Sequence, residues 1–131
     1  ITKGGLEAIM QNMRPGMYEY QVEAFFDFHL KSKGNYTVAF NTIAASGKNA
    51  TILHYDKNNT VIGENDLVLF DLGARKDYYA SDISRTYPAS GKFTPRQKEV
   101  YEELSYYKKG RILHYKNITI FILKSVPYSC T

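Results

Sequence analysis

Cysteine and long apolar runs are nearly absent from this 131-residue sequence. Its single cysteine, Cys130, excludes a disulfide framework within the chain and favours a reducing compartment, which we expect to be the cytoplasm. The apolar run near the C-terminus, residues 118–123, is far shorter than the ~20 residues that a membrane-spanning helix needs. The sequence therefore predicts neither a disulfide-rich fold nor a membrane partner.

A strong excess of one charge is missing too. The 17 Lys and Arg residues and 13 Asp and Glu residues give a net charge of only +4. The basic residues are scattered and form no stripe interleaved with aromatic residues, so we expect no nucleic-acid partner. The sequence does have 44% hydrophobic and 15% aromatic residues, which are enough for one domain with a buried core.

Apolar residues at helical spacing predict two helices near the N-terminus, the first over residues 3–13 and the second over residues 19–32. Their predicted core residues are Leu6, Ile9, Met10 and Met13 in the first, and Val22, Phe25, Phe26 and Leu30 in the second. A third helix is predicted from Pro95 to about Tyr107, because Thr94 suits the N-cap and Gln97 completes a capping box.

Between the second and third helices the apolar period changes to two, which is typical of strands. The predicted strands cover residues 37–40, 43–45, 67–73 and 78–87, and a further strand is predicted at residues 117–123. The order of helices followed by strands and a last helix predicts an α+β fold.

The strongest chemical feature is a pair of aspartates near a predicted hairpin. Asp71 interrupts an apolar strand, where an uncompensated carboxylate is costly. If the turn is centred on residues 76 and 77, Asp71 lies directly opposite Asp82, at a Cβ separation of roughly 4.5–5.5 Å where like charges destabilise a sheet. A divalent cation would compensate that repulsion. Alternatively, both aspartates are surface residues paired with Arg75 or Arg85, and their spacing does not decide between the two hypotheses.

Three segments bear on the choice between a metal site and surface ion pairs. They are AASGKNATILHY at residues 44–55, DLVLFDLGA at 66–74 and YASDISRTYP at 79–88. In this order they resemble the catalytic domain of Xaa-Pro aminopeptidases and Xaa-Pro dipeptidases, the pita-bread metallopeptidases related to creatinase and methionine aminopeptidase. The resemblance covers about residues 3–104. It implies that residues 1–104 form the N-terminal half of a pita-bread domain, an antiparallel sheet with helices on one face, and that residues 105–131 are a tail of other origin.

The resemblance also implies an activity, the hydrolysis of the peptide bond between an N-terminal residue and a following proline. The substrate would be a peptide with proline in second position. The cofactors would be two divalent metal ions, usually manganese, with cobalt or zinc as alternatives. Asp71 would bind one ion through both oxygens, Asp82 would bridge the two ions, and a bridging water would attack the scissile carbonyl. His54 would contact the substrate near the scissile bond.

The family completes this centre with one histidine and two glutamates, and no segment of this sequence matches them. His114 lies in a context that does not resemble those motifs. We therefore expect the chain alone to bind metal weakly and to have little or no peptidase activity. A truncated or frameshifted peptidase and a half-domain that forms a homodimer would both explain the pattern.

Two other functions fit the same resemblance. A non-catalytic pita-bread module used for protein binding would not need either aspartate, so the retention of both argues against it. A creatinase-like hydrolase works without metal ions, and metal titration would separate it from a metallopeptidase.

Overall fold

A computed structural model describes residues 1–108, which form an α+β fold. The elements are α1 (Thr2–Asn12), α2 (Glu19–Ser32), β1 (Ile43–Ser46), a short 3₁₀ helix (Gly47–Thr51), β2 (Leu67–Leu72), β3 (Arg75–Lys76), β4 (Tyr79–Ala80), β5 (Ile83–Pro88) and α3 (Pro95–Lys108). The predicted strand at residues 117–123, His114 and Cys130 lie outside the described residues. Within them, no helix is long and apolar enough to cross a membrane.

Helix α1 buries the side of the helix that the sequence predicted, with one exception. Leu6, Ile9 and Met13 are buried, but Met10 is 47% exposed, so its prediction as a core residue was wrong. Met10 follows Ile9 directly and therefore points about 100° away from it around the helix axis. The buried side of α1 packs against α2.

Helix α2 begins and ends as predicted. Val22, Phe26 and Leu30 are fully or almost fully buried, while Phe25 is only partly buried. The ring of Phe26 lies where a Cβ atom of Gly5 would be, so α1 can approach α2 this closely only because Gly5 has no side chain.

The main sheet has three antiparallel strands in the order β1-β2-β5. Strand β2 alternates strictly between buried and partly buried residues, as expected when helices cover one face only. Its core-facing residues are Val68, Phe70 and Leu72, and its open-face residues are Leu67, Leu69 and Asp71. This arrangement confirms the predicted antiparallel sheet with helices on one face, and it places Asp71 on the open face.

The strand predicted at residues 37–40 is not formed, so this prediction was wrong. The segment makes one isolated bridge, between Val38 and Ala74. The bridge is flanked by two backbone hydrogen bonds, Ala39 N to Gly73 O at 2.8 Å and Arg75 N to Thr37 O at 3.1 Å. Val38 lies opposite Ala74 whereas Ile43 lies opposite Asp71, so five residues of this segment span three of the facing chain. The extra residues interrupt the pairing, and the bridge does not extend into a ladder.

The register between β2 and β5 differs from the prediction by two residues. Asp71 lies opposite Ser84, not opposite Asp82. The cause is the turn, which is centred on Asp77 and Tyr78, with φ values of 51° and 68°. Positive φ at both central residues is what a two-residue type I′ hairpin requires. Moving the turn by one residue changes the pairing by two, so the register assigns Asp82, which directly precedes β5, to the same side as Asp71. Its carboxyl group is close enough to raise the pKa of Asp71.

Candidate metal centre

Asp71 is partly buried in the open face of the sheet, and its pKa is raised above the ordinary value. Burial is the main cause. The hydroxyl of Ser84, which donates a 2.8 Å hydrogen bond to Oδ1, lowers the pKa, whereas the negative charge of Asp82 raises it and the charge of His54 lowers it. The structure therefore brings the three predicted site residues within electrostatic reach of one another.

The alternative in which arginines neutralise the aspartates is wrong for the described part of the chain. Its ion pairs are Lys3–Glu7, Arg96–Glu99 and Lys98–Glu102. None of them includes Asp71 or Asp82. The guanidinium of Arg85 instead donates a 2.7 Å hydrogen bond to the carbonyl of Ser84. Among residues 1–108, no basic side chain therefore forms an ion pair with either of the two neighbouring carboxylates.

The backbone before Asp82 is fixed by its neighbour Ser81. The Ser81 hydroxyl lies 2.6 Å from the hydroxyl of Thr2, and both accept hydrogen bonds from the backbone N–H of Ala74 at 3.0 Å. Close by, a Cβ atom at Gly73 would overlap the carbonyl oxygen of Ser81. Helix α1 and the glycine of the hairpin therefore define where Asp82 stands relative to β2.

His54 lies in the irregular segment between the 3₁₀ helix and β2. Its φ is +54°, a left-handed conformation that is strained for a residue with a side chain. The imidazole is exposed and makes no hydrogen bond with the described residues, whereas the next residue, Tyr55, is only 5% exposed. The position of His54 is therefore set by its backbone and by Tyr55.

Tyr55 is anchored by a carboxylate that sequence reasoning missed. Glu19 is fully buried and accepts five hydrogen bonds. Oε1 accepts from Ser46 N and Oγ, both at 2.7 Å, and from Asn49 Nδ2 at 3.0 Å; Oε2 accepts from Tyr55 OH at 2.7 Å and Thr60 N at 3.0 Å. Burial by itself would raise the pKa of Glu19, but these bonds outweigh it and lower the pKa. The signal in the sequence was the group of polar residues within the 44–55 segment.

A second polar side chain fixes the same segment. Asn58 is buried with φ of +42°, and its Oδ1 accepts a 3.0 Å hydrogen bond from Ala44 N. Its Nδ2 donates to Thr42 O at 2.7 Å and to Glu23 Oε2 at 2.8 Å. Glu23 lies one helical turn after Glu19 on the same face of α2. The two glutamates therefore hold the chain just after His54, Glu19 through Tyr55 and Thr60 and Glu23 through Asn58.

The donor set fits a divalent cation but does not complete a site. Carboxylate oxygens are the ligands that manganese and similar hard cations prefer, and a bound cation would relieve the repulsion between Asp71 and Asp82. Within residues 1–108, however, no group of three His, Cys, Asp or Glu side chains could hold a metal ion. Further ligands would have to come from outside the described part of the chain.

Comparison with known proteins agrees with this geometry. A family model described as metallopeptidase family M24 matches residues 1–106. The Xaa-Pro aminopeptidase of Escherichia coli K12 is 43% identical over 102 residues, which are 78% of this chain and 23% of that enzyme. The Xaa-Pro dipeptidase of Rattus norvegicus is 39% identical over 107 residues, with 78% and 22% covered.

Solved structures show the same fold. A Bacillus anthracis protein assigned as an aminopeptidase P matches with a TM-score of 0.80 and 53% identity, over 82% of this chain and 26% of that chain. Zinc-substituted E. coli aminopeptidase P in complex with product matches with a TM-score of 0.79 and 38% identity, over 82% and 24%. The chain thus spans about a quarter of the length of the relatives it matches.

Fold and relatives together define the class of protein, a pita-bread metallopeptidase domain. This chain belongs to metallopeptidase family M24. The resemblance inferred from the sequence motifs is thereby confirmed.

Alanine variants of the E. coli enzyme offer a further comparison. Each variant has a single replacement. One replaces a histidine, a second replaces an aspartate 17 residues later, and a third replaces an aspartate 11 residues after that. The same separations hold between His54, Asp71 and Asp82. Three other single variants replace two histidines and a glutamate, which lie 90 to 123 residues after the first of these aspartates. This chain extends 60 residues beyond Asp71 and has no residues at those separations.

Proposed function

We propose that this chain provides part of a divalent-metal centre that hydrolyses the peptide bond between an N-terminal residue and a following proline. The observation that supports it most is the juxtaposition of Asp71 and Asp82 on the open face, with His54 in electrostatic reach. The Xaa-Pro relatives and the matching spacing of the replaced residues in the E. coli enzyme support the same proposal.

Asp71 and Asp82 would hold two divalent ions, with manganese as our expectation and cobalt or zinc as alternatives. When bound, the two ions would lower the pKa of a water between them and stabilise negative charge on the scissile carbonyl oxygen. Asp71 must be deprotonated to act as a ligand, and its raised pKa means that protons compete with metal at low pH. The Ser84 hydroxyl counteracts this competition and fixes one oxygen of the carboxylate.

His54 would bind the substrate near the scissile bond. Its imidazole is exposed and has no hydrogen-bond partner among the described residues, so both ring nitrogens remain available to a peptide. Its charge reaches Asp71, and at that range it would donate a hydrogen bond to the substrate while the aspartates hold the metal.

The proposed centre is incomplete in this chain. We propose that residues 1–104 form the N-terminal half of the domain and that one histidine and two glutamates complete the centre from elsewhere. The absence of a three-ligand cluster in residues 1–108 supports this division. The chain alone should therefore be inactive.

A chimera tests the proposal directly. Residues 1–106 would replace the matching segment of the E. coli Xaa-Pro aminopeptidase, and hydrolysis of Xaa-Pro peptides would be measured with manganese. We expect activity that falls by more than about 100-fold on Asp71→Asn, since even changes beside a metal ligand cost 10–100-fold. The matched control is Asp77→Asn in the exposed turn, which should retain activity. A folded, active chimera that is unaffected by Asp71→Asn would refute the proposal.

A further inference from the structure

We infer that Glu19 is a positioning residue for His54 and that it acts through the hydroxyl of Tyr55. The inference rests on the substrate-binding role proposed for His54. It does not follow from the metal centre, because Glu19 is a residue of α2 that contacts neither Asp71 nor Asp82 by any hydrogen bond of the described residues.

Glu19 has an unusual environment for a carboxylate. A fully buried carboxylate is costly unless it is paired or fully hydrogen-bonded, and the ion pairs of the described residues do not include Glu19. Five donors satisfy it instead. An apolar side chain would fill the same space without needing this network. The arrangement therefore indicates a requirement for fixed geometry around the carboxylate rather than for burial alone.

The five donors to Glu19 come from both sides of His54 in the chain. Ser46 and Asn49 precede His54, and Tyr55 and Thr60 follow it. One carboxylate thus holds both sides of the segment that contains the histidine. Such a clamp restricts the segment far more than a single hydrogen bond on one side would.

His54 depends on its neighbours in the chain for its position. Its left-handed backbone persists only if the surroundings hold it, and its imidazole makes no hydrogen bond of its own to the described residues. The nearest fixed point is the adjacent residue, Tyr55, whose hydroxyl lies 2.7 Å from Oε2 of Glu19. Removing that single hydroxyl should therefore release His54 more than it loosens the rest of the fold.

Two matched variants separate positioning from general stability. Tyr55→Phe and Ser46→Ala each remove one hydroxyl that lies 2.7 Å from the carboxylate of Glu19, and each leaves the rest of the side chain nearly unchanged. Only Tyr55 adjoins His54. The Tyr55 hydroxyl also accepts a 3.0 Å hydrogen bond from Asn49 Nδ2, so Tyr55→Phe should lower stability more than Ser46→Ala. Changes at His54 are therefore compared with changes in the rest of the same variant, and an effect confined to His54 and its neighbours reports positioning.

The readout is metal-free nuclear magnetic resonance of the whole chain, with the imidazole signal of His54 assigned through His54→Gln. Tyr55→Phe should shift and broaden this signal, and amide exchange at residues 52–56 should accelerate roughly tenfold. Ser46→Ala should leave both unchanged. The signal of His29, which lies in α2, serves as the internal reference.

Equal effects of the two variants on His54, or no effect of Tyr55→Phe, would overturn the inference. Glu19→Gln provides a second test where it folds, since it should reproduce the His54 changes of Tyr55→Phe. Because no metal or substrate is used, the result stands independently of the proposed function. If His54→Gln instead left hydrolysis by the chimera unchanged, the proposed role of His54 would fail while the positional result remained.

Discussion

At the scale of single residues, two partly or fully buried carboxylates have pKa values displaced in opposite directions. Burial dominates at Asp71 and raises its pKa, helped by the nearby charge of Asp82. Glu19 is fully buried, which by itself raises the pKa, but the hydrogen bonds from Tyr55, Asn49 and the backbone of Ser46 and Thr60 outweigh the burial and lower it. The difference suits the roles proposed for them. Asp71 accepts a hydrogen bond from Ser84 and keeps oxygen lone pairs for a cation, whereas both oxygens of Glu19 already accept hydrogen bonds from the protein.

Asp71→Asn should stabilise the metal-free protein near pH 7. The raised pKa means that the folded state binds the proton of Asp71 more tightly than the unfolded state. The associated stability is fully present below the ordinary value of 3.8 and is lost as the pH rises through the folded-state pKa. Urea unfolding should show a gain of up to about 1 kcal/mol near neutral pH, the size of a cross-strand charge interaction, and almost none below pH 3.8.

Asp77→Asn is the matched control for this measurement, because it removes the same charge at an exposed turn. Its stability should change little at either pH. A loss of stability in Asp71→Asn near neutral pH without metal would contradict the account of its electrostatics.

Glu19→Gln, unlike Asp71→Asn, should destabilise the protein near pH 7. Because the pKa of Glu19 is lowered, its stabilising contribution is present above the ordinary value of 4.5 and is lost as the pH falls through the folded-state pKa. The amide NH₂ group of the introduced glutamine would face N–H and O–H groups that now donate to the carboxylate of Glu19. The loss of these hydrogen bonds should lower the free energy of unfolding by about 3 kcal/mol near pH 7. Urea unfolding should show this cost shrinking in acid, and a pH-independent cost would contradict the assignment of Glu19 as a buried anion.

The sequence identified the residues with distinctive motifs and missed those defined by tertiary contacts. His54, Asp71 and Asp82 were predicted to lie together, and the structure brings them into electrostatic reach. Ser84 was missed because its contact with Asp71 depends on the register. Glu19 was missed because a glutamate at the start of a helix usually interacts with the helix dipole, and only the approach of the 44–60 segment reveals its other role.

At the scale of the elements, the hairpin between β3 and β4 determines how the two aspartates face each other. Its type I′ turn places Tyr78 at φ of 68°, which is unfavourable for a residue with a large side chain. The turn considered from the sequence, centred on residues 76 and 77, is one residue earlier than the observed turn. The observed turn keeps both aspartates on one face, so the chemical prediction did not depend on the wrong register.

Tyr78→Gly should stabilise the protein by about 1 kcal/mol. Glycine adopts positive φ without a steric penalty, and the fully exposed tyrosine ring has no packing to lose. Tyr79→Gly is the control, since Tyr79 belongs to β4 and should lose stability on replacement. Thermal unfolding of both variants measures the contrast, and equal shifts would mean that the turn is not of this type.

At the scale of the whole molecule, the order of helices and strands predicted the α+β fold, and the order of the three motifs predicted the family; both predictions are confirmed. The boundaries of the helices followed from caps and periodicity, whereas the strand at residues 37–40 failed because pairing requires a partner that local sequence does not specify. That the metal centre is incomplete in this chain stays a prediction, which the activity of the purified chain tests.

The purified 131-residue chain should not hydrolyse Xaa-Pro peptides, even with excess manganese. Two carboxylates can hold a cation weakly, but catalysis requires further ligands to fix the ions and the water. A sensitive assay of proline-containing dipeptides and tripeptides checks this expectation. Hydrolysis above background that is lost on Asp82→Ala would show that the chain, alone or as a homodimer, forms a complete site.

Calorimetric titration of the chain with manganese tests the central claim most directly, because it asks whether Asp71 and Asp82 bind a shared divalent cation. We predict weak, saturable binding that is lost on Asp82→Asn and retained in Asp77→Asn, which removes the same charge from the exposed turn a few residues away. Binding that survives Asp82→Asn, or no binding by the unaltered chain, would contradict the account.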